Sequence, residues 1–385
     1  MTDSVTKVRY VNRVAEPLKV FFCAALVQKL AADIERVQPT FEAKAFIRQA
    51  SAGLEQLELL DRGKHIARAL DAHLPEHYPS AVDVLLRSLG PEHSTDELVG
   101  VGMAPFYYLP HTLFVAERGL DHFELSMRAQ VELTKRFTCE GSIRAYIAKD
   151  PERCFVQFAS WANDDNPHVR RLVSEGTRLR LPWAARVAWL DANPQRVLEL
   201  LEMLKNDPTS LVRRSVANNL NDLSKTHADL VVETCRAWAH NASPETLALI
   251  RHALRSLVKK GHRGALAVLG AGKRPKVVVA ATRLARKAIR LGDELRFSFK
   301  LESTASRAQE LVVDYVVHFV KANGAPKPKV FKLKRITLQA KSTADFEAKV
   351  SFARMTTRKH YPGRHRIEVL ANGEAFPLGE FEVRA

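Results

Sequence analysis

A five-residue motif recurs in this chain at a spacing of 43 residues. Pro167-His-Val-Arg-Arg171 is followed by Ser210-Leu-Val-Arg-Arg214, and Pro208-Thr-Ser-Leu211 has a weaker echo 36 residues later at Pro244-Glu-Thr-Leu247. A period of about 40 to 47 residues is typical of HEAT-type repeats, in which helix pairs bury their apolar faces by stacking into a solenoid. The motif therefore predicts stacked helix pairs, with the second helix of each pair opening near Val-Arg-Arg.

The arginines of this motif have two interpretations. At repeat spacing, the arginines of successive repeats would form a stripe of positive charge on one face of the solenoid, where it would suit the phosphate backbone of a duplex. Alternatively, each Val-Arg-Arg is the solvated start of a helix. Taken alone, any one copy favours the second interpretation, whereas the recurrence favours the first.

The segment after the first motif concentrates several chemical groups. Residues 174–183, Ser-Glu-Gly-Thr-Arg-Leu-Arg-Leu-Pro-Trp, contain one carboxylate, two arginines and a tryptophan. Because proline disfavours the helical conformation of the residue before it, Leu181-Pro182 predicts the end of a helix. We expect Trp183 to begin the next helix, close to the surface of the solenoid.

The periodicity changes near residue 273. Beyond it, short alternating segments are separated by the turn signals Asn323-Gly324, Pro362-Gly363 and Asn372-Gly373, and the segments are Leu295–Leu301, Val312–Phe319, Arg366–Leu370 and Phe381–Val383. This pattern predicts an antiparallel sandwich, immunoglobulin-like in size and strand spacing. The predicted fold is therefore an all-α HEAT-like-repeat solenoid over residues 1–272, followed by an immunoglobulin-like β-sandwich over residues 273–385.

Positive charge is concentrated in the predicted sandwich. The chain has a formal net charge of +16, and the stretch from Ala271 onward contributes 24 Lys and Arg against 11 Asp and Glu. Two predicted hairpins carry most of this excess: one has Lys327, Lys329, Lys332, Lys334 and Arg335, and the other has Arg354, Arg358, Lys359, Arg364 and Arg366. Such an excess predicts a second DNA clamp that binds phosphates without reading sequence. The alternative is a solubilising surface.

Several classes of protein are disfavoured by what the sequence lacks. Its longest apolar run, Val20–Val27, is too short to cross a bilayer, and its first residues do not resemble a signal peptide. The four cysteines are scattered without metal-ligand spacing, which predicts reduced, mostly buried thiols in a cytosolic protein. Phosphate-loop, zincin and nucleophile-elbow motifs are missing. We expect no cofactor, no metal and no membrane partner.

Several of these motifs together resemble the AlkC branch of the bacterial AlkC/AlkD DNA glycosylases. In the helical part they are Glu-Leu-Thr-Lys-Arg-Phe-Thr at 132–138, Ser-Glu-Gly-Thr-Arg at 174–178, Leu-Pro-Trp at 181–183 and Asn-Asn-Leu-Asn-Asp at 218–222. In the tail, Asp314–Phe319, Lys329–Lys332, Thr356–Arg358 and Tyr361–Gly363 resemble the immunoglobulin-like domain of some members. The resemblance spans roughly residues 100 to 385.

The resemblance implies roles for particular residues. The catalytic carboxylates of the family fall on Glu140, Glu175 and Asp222, and its lesion-facing tryptophan falls on Trp183. Arg171 would be a DNA contact nearby. Further DNA contacts are expected at Arg178, Arg180, Arg213, Arg214, Lys332, Lys334 and Arg358. We expect Trp161 and Trp189 to be core residues.

Each implied residue also has a structural interpretation. Glu175 has Arg171 four residues before it and Arg178 three residues after it, and such spacing on a helix favours ion pairs. Asp222 would cap or end a helix, and Trp183 taken alone would belong to the core. A lone Glu140 would be solvated or paired with a neighbouring arginine.

The family resemblance implies a DNA glycosylase of base excision repair. Such an enzyme would hydrolyse the N-glycosidic bond of cationic bases such as 3-methyladenine and 3-methylcytosine, without flipping the nucleotide out of the duplex. We expect double-stranded DNA containing alkylated bases as its partner, a monomer without an obligate protein partner, and a bacterial cytoplasmic location that becomes nucleoid-associated on DNA. The alternative is a non-catalytic HEAT-repeat scaffold that binds nucleic acid or an acidic protein.

Overall fold

Before residue 270, the regular secondary structure of the described residues is helical. A computed structural model of the protein describes residues 17–93, 103–355 and 359–385, so the predicted contact Arg358 and the motif Thr356–Arg358 lie outside the described residues. Short 3₁₀ turns span Leu18–Phe21, Leu54–Gln56 and Ala104–Tyr108. The helices are α1 (Ala24–Glu35), α2 (Ala43–Ser51), α3 (Leu59–His73), α4 (Tyr78–Arg87), α5 (Leu109–Arg118), α6 (Phe123–Thr134), α7 (Ile143–Lys149), α8 (Pro151–Trp161), α9 (Pro167–Gly176), α10 (Ala188–Ala192), α11 (Pro194–Leu204), α12 (Ser210–Leu223), α13 (Ala228–Ala239), α14 (Pro244–Ala253), α15 (Arg255–Lys259) and α16 (Arg263–Val268).

The predicted 43-residue repeat corresponds to two helix pairs. Helices α8 and α9 begin 43 residues before α11 and α12, respectively, and α9 packs against both α8 and α11. Proline opens α8, α9 and α11, where its missing N–H needs no partner. The Asn166 side chain accepts from the His168 N–H and caps α9. The prediction that the second helix of each pair opens near Val-Arg-Arg is confirmed.

The first arginine of each Val-Arg-Arg makes the same hydrogen bonds in both helix pairs. Nη1 of Arg170 donates to the carbonyl oxygens of Asp164 and Asp165, which lie six and five residues before it. Nη1 of Arg213 donates at the same offsets, to the carbonyl oxygens of Asp207 and Pro208. Both guanidinium groups therefore fasten the loop between the two helices of their own pair.

Arg170 also joins the two pairs. Its Nε and Nη2 donate to the two carboxylate oxygens of Asp207 at 2.6 and 3.1 Å, and the Asp207 side chain is 3% exposed. Asp207 in turn accepts from the N–H of Thr209, directly before α12. This nearly buried, bidentate ion pair therefore connects α9 to the loop that precedes α12.

Among the described residues after the helices, eight strands form two sheets. They are β1 (Val277–Leu284), β2 (Ala288–Arg290), β3 (Glu294–Ser303), β4 (Gln309–Val320), β5 (Pro326–Leu338), β6 (Thr343–Ser351), β7 (Gly363–Ala371) and β8 (Glu374–Arg384). One sheet has the order β1-β3-β6 and the other β2-β8-β7-β4-β5; β2 runs parallel to β8 and the other described pairs are antiparallel. The core between them consists of alternate residues, as in β3, where Leu295, Phe297, Phe299 and Leu301 are buried.

The strand predictions are confirmed in outline and wrong in one detail. The four alternating segments lie within β3, β4, β7 and β8, and the Asn323-Gly324 turn joins β4 to β5 in a hairpin. The second cationic hairpin does not exist as predicted. β6 and β7 belong to different sheets, so the chain from Ser351 to Gly363 crosses between sheets.

The chain divides into two compact units, Met1–Ser215 and Val216–Ala385. Within the second unit, the last helices lie directly against the sandwich. A Cβ atom added to Gly373 would lie 2.4 Å from the Cα of Gly261, so the two backbones touch. Arg335 donates to the carbonyl oxygen of Leu269, and Arg274 forms a bidentate pair with Glu374. Helices α13–α16 and the sandwich therefore form one packed body.

The described residues can be compared with two sequence-based expectations, one about membrane-spanning helices and one about the burial of the cysteines. None of their helices is both long and apolar enough to span a membrane. Cys139, Cys154 and Cys235 are buried free thiols, and burial raises the pKa of each to about 12, whereas Cys23 is exposed. The prediction that the thiols are mostly buried is confirmed.

Replacing Arg170 with methionine tests the connection between the helix pairs. The substitution leaves the Asp207 carboxylate buried without its cation, so we expect Arg170→Met to lower the free energy of unfolding by about 3 kcal/mol in urea denaturation. The control is Arg236→Met, which removes the partner of Glu233 from an exposed pair and should cost about 0–1 kcal/mol. Equal losses in the two variants would contradict a connecting role for Arg170.

Candidate active site

Glu175 is a buried carboxylate in the last turn of α9. It is 5% exposed, and both of its oxygens have partners: Nη1 of Arg178 lies 2.5 Å from Oε1, and the hydroxyl of Ser215 donates to Oε2 at 2.5 Å. Nη2 of Arg171 lies 3.9 Å from Oε1. The ion pairs expected from the helical spacing are therefore present, and they offset the cost of burying the charge.

Arg171 bridges Glu175 to Glu140. Its Nη2 donates to Oε2 of Glu140 at 3.0 Å, and its Nη1 donates to the hydroxyl of Thr138 at 3.3 Å. That hydroxyl donates in turn to Oε2 of Glu140 at 2.7 Å. The structure thus brings together two of the predicted carboxylates around one guanidinium, and Glu140, unlike Glu175, keeps about a quarter of its side chain exposed.

Ser215 was not predicted from the sequence. It occupies the position of α12 that corresponds to Leu172 in α9, 43 residues earlier. Leu172 is a core residue, whereas Ser215 is buried and donates to Glu175. A small polar residue where the preceding repeat has a buried leucine is the signal that reveals it, because such a residue needs a polar partner.

Trp183 protrudes from the surface instead of packing in the core. Its side chain is 65% exposed, and its backbone φ of 62° lies in the left-handed region, which costs a bulky residue about 1–3 kcal/mol. The prediction that Trp183 begins a helix is wrong: α9 ends at Gly176 and α10 begins at Ala188. Left-handed backbone at Trp183 interrupts any helix at that point.

Of the other two tryptophans of this region, Trp161 is the core residue that was expected, whereas Trp189 is only partly buried. Trp161 is 5% exposed and its ring lies 5.6 Å from that of Phe158. Trp189 is half-buried and packs edge-on against Phe155 at 4.9 Å. Both are packing residues, which makes the exposure of Trp183 a local property of its loop.

Arg144 supports the loop that carries Trp183, and it too was missed. It is 4% exposed and donates to the carbonyl oxygens of Gly176, Arg178 and Ala185 at 3.0, 2.8 and 2.9 Å. Burial and the neighbouring Arg178 cation lower the pKa of its guanidinium. No sequence pattern marks Arg144, because its partners are main-chain atoms 32 to 41 residues away.

Asp222 belongs to the second unit and lies in the last turn of α12. It is 3% exposed, and Nζ of Lys225 donates to its Oδ1 at 2.7 Å. Because α12 ends at Leu223, Asp222 lies where a helix ends, as one of its structural interpretations expected, and it does not cap the start of a helix. Like Glu175, it is a buried carboxylate that pairs with a cation three residues after it, beyond the end of its helix.

The predicted DNA contacts differ in how they are engaged. Arg171 and Arg178 contact carboxylates, and Arg213 holds its own loop. Arg180 is partly exposed and Arg214 is exposed. Lys332 and Lys334 are exposed on β5, where no carboxylate oxygen of the described residues lies within 4 Å of their ammonium groups. Arg214, Lys332 and Lys334 are therefore the most accessible of the predicted DNA contacts that the structure describes.

The first unit thus presents one buried and one partly exposed carboxylate, both contacted by Arg171, and an exposed aromatic ring on a loop held by Arg144. Carboxylates of this kind can stabilise a developing positive charge or orient a water molecule. An exposed indole ring can stack on a flat cationic group. Across residues 17–93, 103–355 and 359–385, no three His, Cys, Asp or Glu side chains form a cluster suited to a metal ion.

Comparison with known proteins places this arrangement in context. Residues 137–257 match a family model described as DNA alkylation repair enzyme, and residues 278–385 match one described as the C-terminal Ig-like domain of the uncharacterised protein YhaZ. The chain is 35% identical over 369 residues to the uncharacterized protein YhaZ of Bacillus subtilis, covering 95% of this chain and 99% of that protein.

A solved structure is similar over nearly the whole length. It is the alkylpurine DNA glycosylase AlkC of Pseudomonas fluorescens, bound to DNA that contains an abasic site analog. The identity is 39%, the TM-score is 0.87, and the match covers 96% of this chain and 100% of the other. The helical region and the sandwich therefore both have counterparts in that protein.

Proposed function

The chain belongs to the AlkC-type DNA alkylation repair enzymes with a C-terminal immunoglobulin-like domain, and we propose that it is a DNA glycosylase. It hydrolyses the N-glycosidic bond of cationic alkylated bases, such as 3-methyladenine and 3-methylcytosine, in double-stranded DNA and without base flipping. The observation that supports this most is that both of its domains align with a DNA-bound alkylpurine glycosylase over the full length.

The positive charge of the alkylated base determines which catalytic groups the protein needs. A base methylated on a ring nitrogen is cationic, so its glycosidic bond is already weakened and it leaves as a neutral molecule. A strong general acid is unnecessary. The sugar that remains resembles an oxocarbenium ion, which needs negative charge beside it and a water molecule held for attack.

Glu140, Glu175 and Asp222 are the carboxylates proposed for these tasks. Glu175 and Asp222 stabilise the sugar cation and orient the water, and Glu140 shares either task. The bonds from Ser215 and Arg178 support this assignment for Glu175, because a carboxylate fixed before the substrate arrives needs little reorganisation during the reaction. Arg171 holds Glu140 and Glu175 in the free protein and is also a proposed DNA contact.

Trp183 is proposed to contact the damaged nucleotide. An exposed indole face attracts a cationic base by about 0.5–2 kcal/mol, whereas a neutral base lacks that attraction. Carboxylates close by would add to the preference for charged lesions. The indole ring and the carboxylates together would favour a positively charged base, and methylation of a ring nitrogen creates that charge.

Release of free base from methylated DNA tests the proposal. We expect the protein to release 3-methyladenine, and we expect Glu175→Gln and Asp222→Asn to reduce the rate by about 10²- to 10³-fold, because each removes a charge that stabilises the transition state. Chromatography of the released bases gives the rate and identifies the lesion. Binding to undamaged duplex DNA should persist in both variants.

The matched control for this experiment is Glu152→Gln. Glu152 is exposed and pairs with Arg196 on the surface, so the same chemical change there should leave base release unchanged. A folded, DNA-binding protein that releases no methylated base would contradict the glycosylase. It would favour a non-catalytic scaffold, in which the ion pairs of Glu175 serve structure alone.

The exposed lysines of β5 predict how binding depends on salt. If Lys332 and Lys334 contact phosphates, replacing both with alanine should reduce the slope of log K against log salt concentration by up to about 2, since each contact contributes roughly 0.9. Fluorescence anisotropy with a labelled duplex measures the slope. The control is the pair Lys300→Ala and Lys349→Ala on the other sheet, where each lysine already pairs with a carboxylate. Equal slopes for wild type and the Lys332/Lys334 variant would contradict a clamp at β5.

A further inference from the structure

Eleven residues connect α9 to α10, and we call them the tryptophan loop (177–187). The loop has no regular secondary structure, but buried side chains hold it in place. Leu179, Leu181 and Val187 are each less than 10% exposed, so the loop is anchored by apolar side chains at three points. Between the second and third anchors, Trp183 points outward with a left-handed backbone. The loop therefore combines a firmly held base with an exposed and strained tip.

Arg144 adds polar contacts that hold the main chain of the loop. Its Nη1 donates to the carbonyl oxygens of Gly176 and Arg178 at the start of the loop, and its Nε donates to that of Ala185 near its end. One buried guanidinium thus spans the loop on both sides of Trp183. No described carboxylate oxygen lies within 4 Å of it, so its hydrogen bonds all go to the main chain of this region.

Close packing between α7 and α9 brings these atoms together. A Cβ atom added to Gly176 would lie 2.7 Å from Cγ2 of Ile143, the residue before Arg144. The end of α9 can approach α7 this closely because Gly176 has no side chain. The approach places the carbonyl oxygen of Gly176 beside the guanidinium.

We propose that Arg144 is a positioning residue that holds Trp183 in the conformation from which it contacts the damaged nucleotide. The role of the tryptophan rests on the proposed function; the positioning itself does not. Residues in sparsely populated backbone conformations persist where the surroundings determine them. The three bonds from Arg144 supply that determination on both sides of the strained residue.

The chemistry of the site requires arginine. The planar guanidinium presents donors in fixed directions, so Nε and Nη1 reach carbonyl oxygens at opposite ends of the loop. An ammonium group offers donors from one nitrogen and cannot reproduce that span. Arg144→Lys therefore keeps the charge and loses the geometry, whereas Arg144→Met loses both.

The first test uses the free protein and needs no enzyme activity. The fluorescence of Trp183 is obtained as the difference between each protein and its Trp183→Phe counterpart. We expect time-resolved anisotropy to show additional nanosecond motion of Trp183 in Arg144→Lys and more in Arg144→Met. Unchanged anisotropy in both folded variants would overturn the proposal, whatever the protein does to DNA.

Arg62→Lys is the matched control. Arg62 is also a buried arginine, 6% exposed, whose guanidinium donates to the carbonyl oxygens of Lys19, Phe22, Glu55 and Leu57. It fastens another loop by the same chemistry and far along the chain from residue 183. Arg62→Lys should leave the Trp183 signal and base release unchanged, so a general loss of stability is distinguished from a loss of positioning.

The second test compares rates of 3-methyladenine release. We expect Trp183→Ala to lower the rate by about 2- to 30-fold, the range of a cation–π contact. Arg144→Met should lower the release rate by no more than Trp183→Ala does. The double variant should be no slower than Trp183→Ala alone, because both substitutions remove the same contact between Trp183 and the damaged nucleotide. Independent, multiplying losses would overturn the proposal. If the wild type releases no base, the proposed function fails while the anisotropy result still decides the positioning.

Gly176→Ala provides a variant that leaves Arg144 intact. Its new methyl group would push the end of α9 away from Ile143 and so lengthen the bond from Arg144 to residue 176. We expect intermediate motion of Trp183 and an intermediate rate of release. This variant keeps the proposal testable if both Arg144 variants fail to fold. In that case, an anisotropy of Trp183 in Gly176→Ala equal to that of the wild type would overturn the proposal.

Discussion

The bidentate ion pair between Arg170 and Asp207 fixes one helix pair against the next. A helix pair in a repeat protein buries its apolar face only against its neighbours, so the orientation of α9 depends on such connections. Once Arg170 is held, the direction of Arg171 follows, because consecutive residues on a helix point about 100° apart. Arg171 therefore faces Glu140 and Glu175, and the site is built on a structural contact beside it.

The site concentrates features that cost stability. Two glutamates sit in one arginine-bridged network, Glu175 is almost fully buried, and Trp183 is both strained and exposed. Replacing such a network with apolar residues is often neutral or stabilising in other proteins, so its presence here favours a functional reason. The positions of these residues agree with a reaction that needs fixed negative charge and a flat aromatic surface.

The exposed lysines of β5 lie where they could serve two purposes. β5 is the edge strand of its sheet, and exposed lysines on an edge discourage pairing with another chain. The same side chains are exposed cations available to phosphates. Because α13–α16 pack directly against the sandwich through Gly261 and Gly373, its charge is fixed relative to those helices.

The sequence by itself determined the periodic features: the 43-residue helix pairs, the alternating strands β3, β4, β7 and β8, and the basic character of the sandwich. Through a family resemblance it also named Glu140, Glu175, Asp222 and Trp183 as candidate site residues, and the helical spacing predicted the pairs of Glu175 with Arg171 and Arg178. Only the tertiary structure decided that Arg170 is structural while Arg171 joins the site, that Ser215 donates to Glu175, and that Arg144 holds the tryptophan loop. Periodicity is a local property of the chain, whereas these contacts join residues about 30 to 40 positions apart and depend on how closely two helices approach.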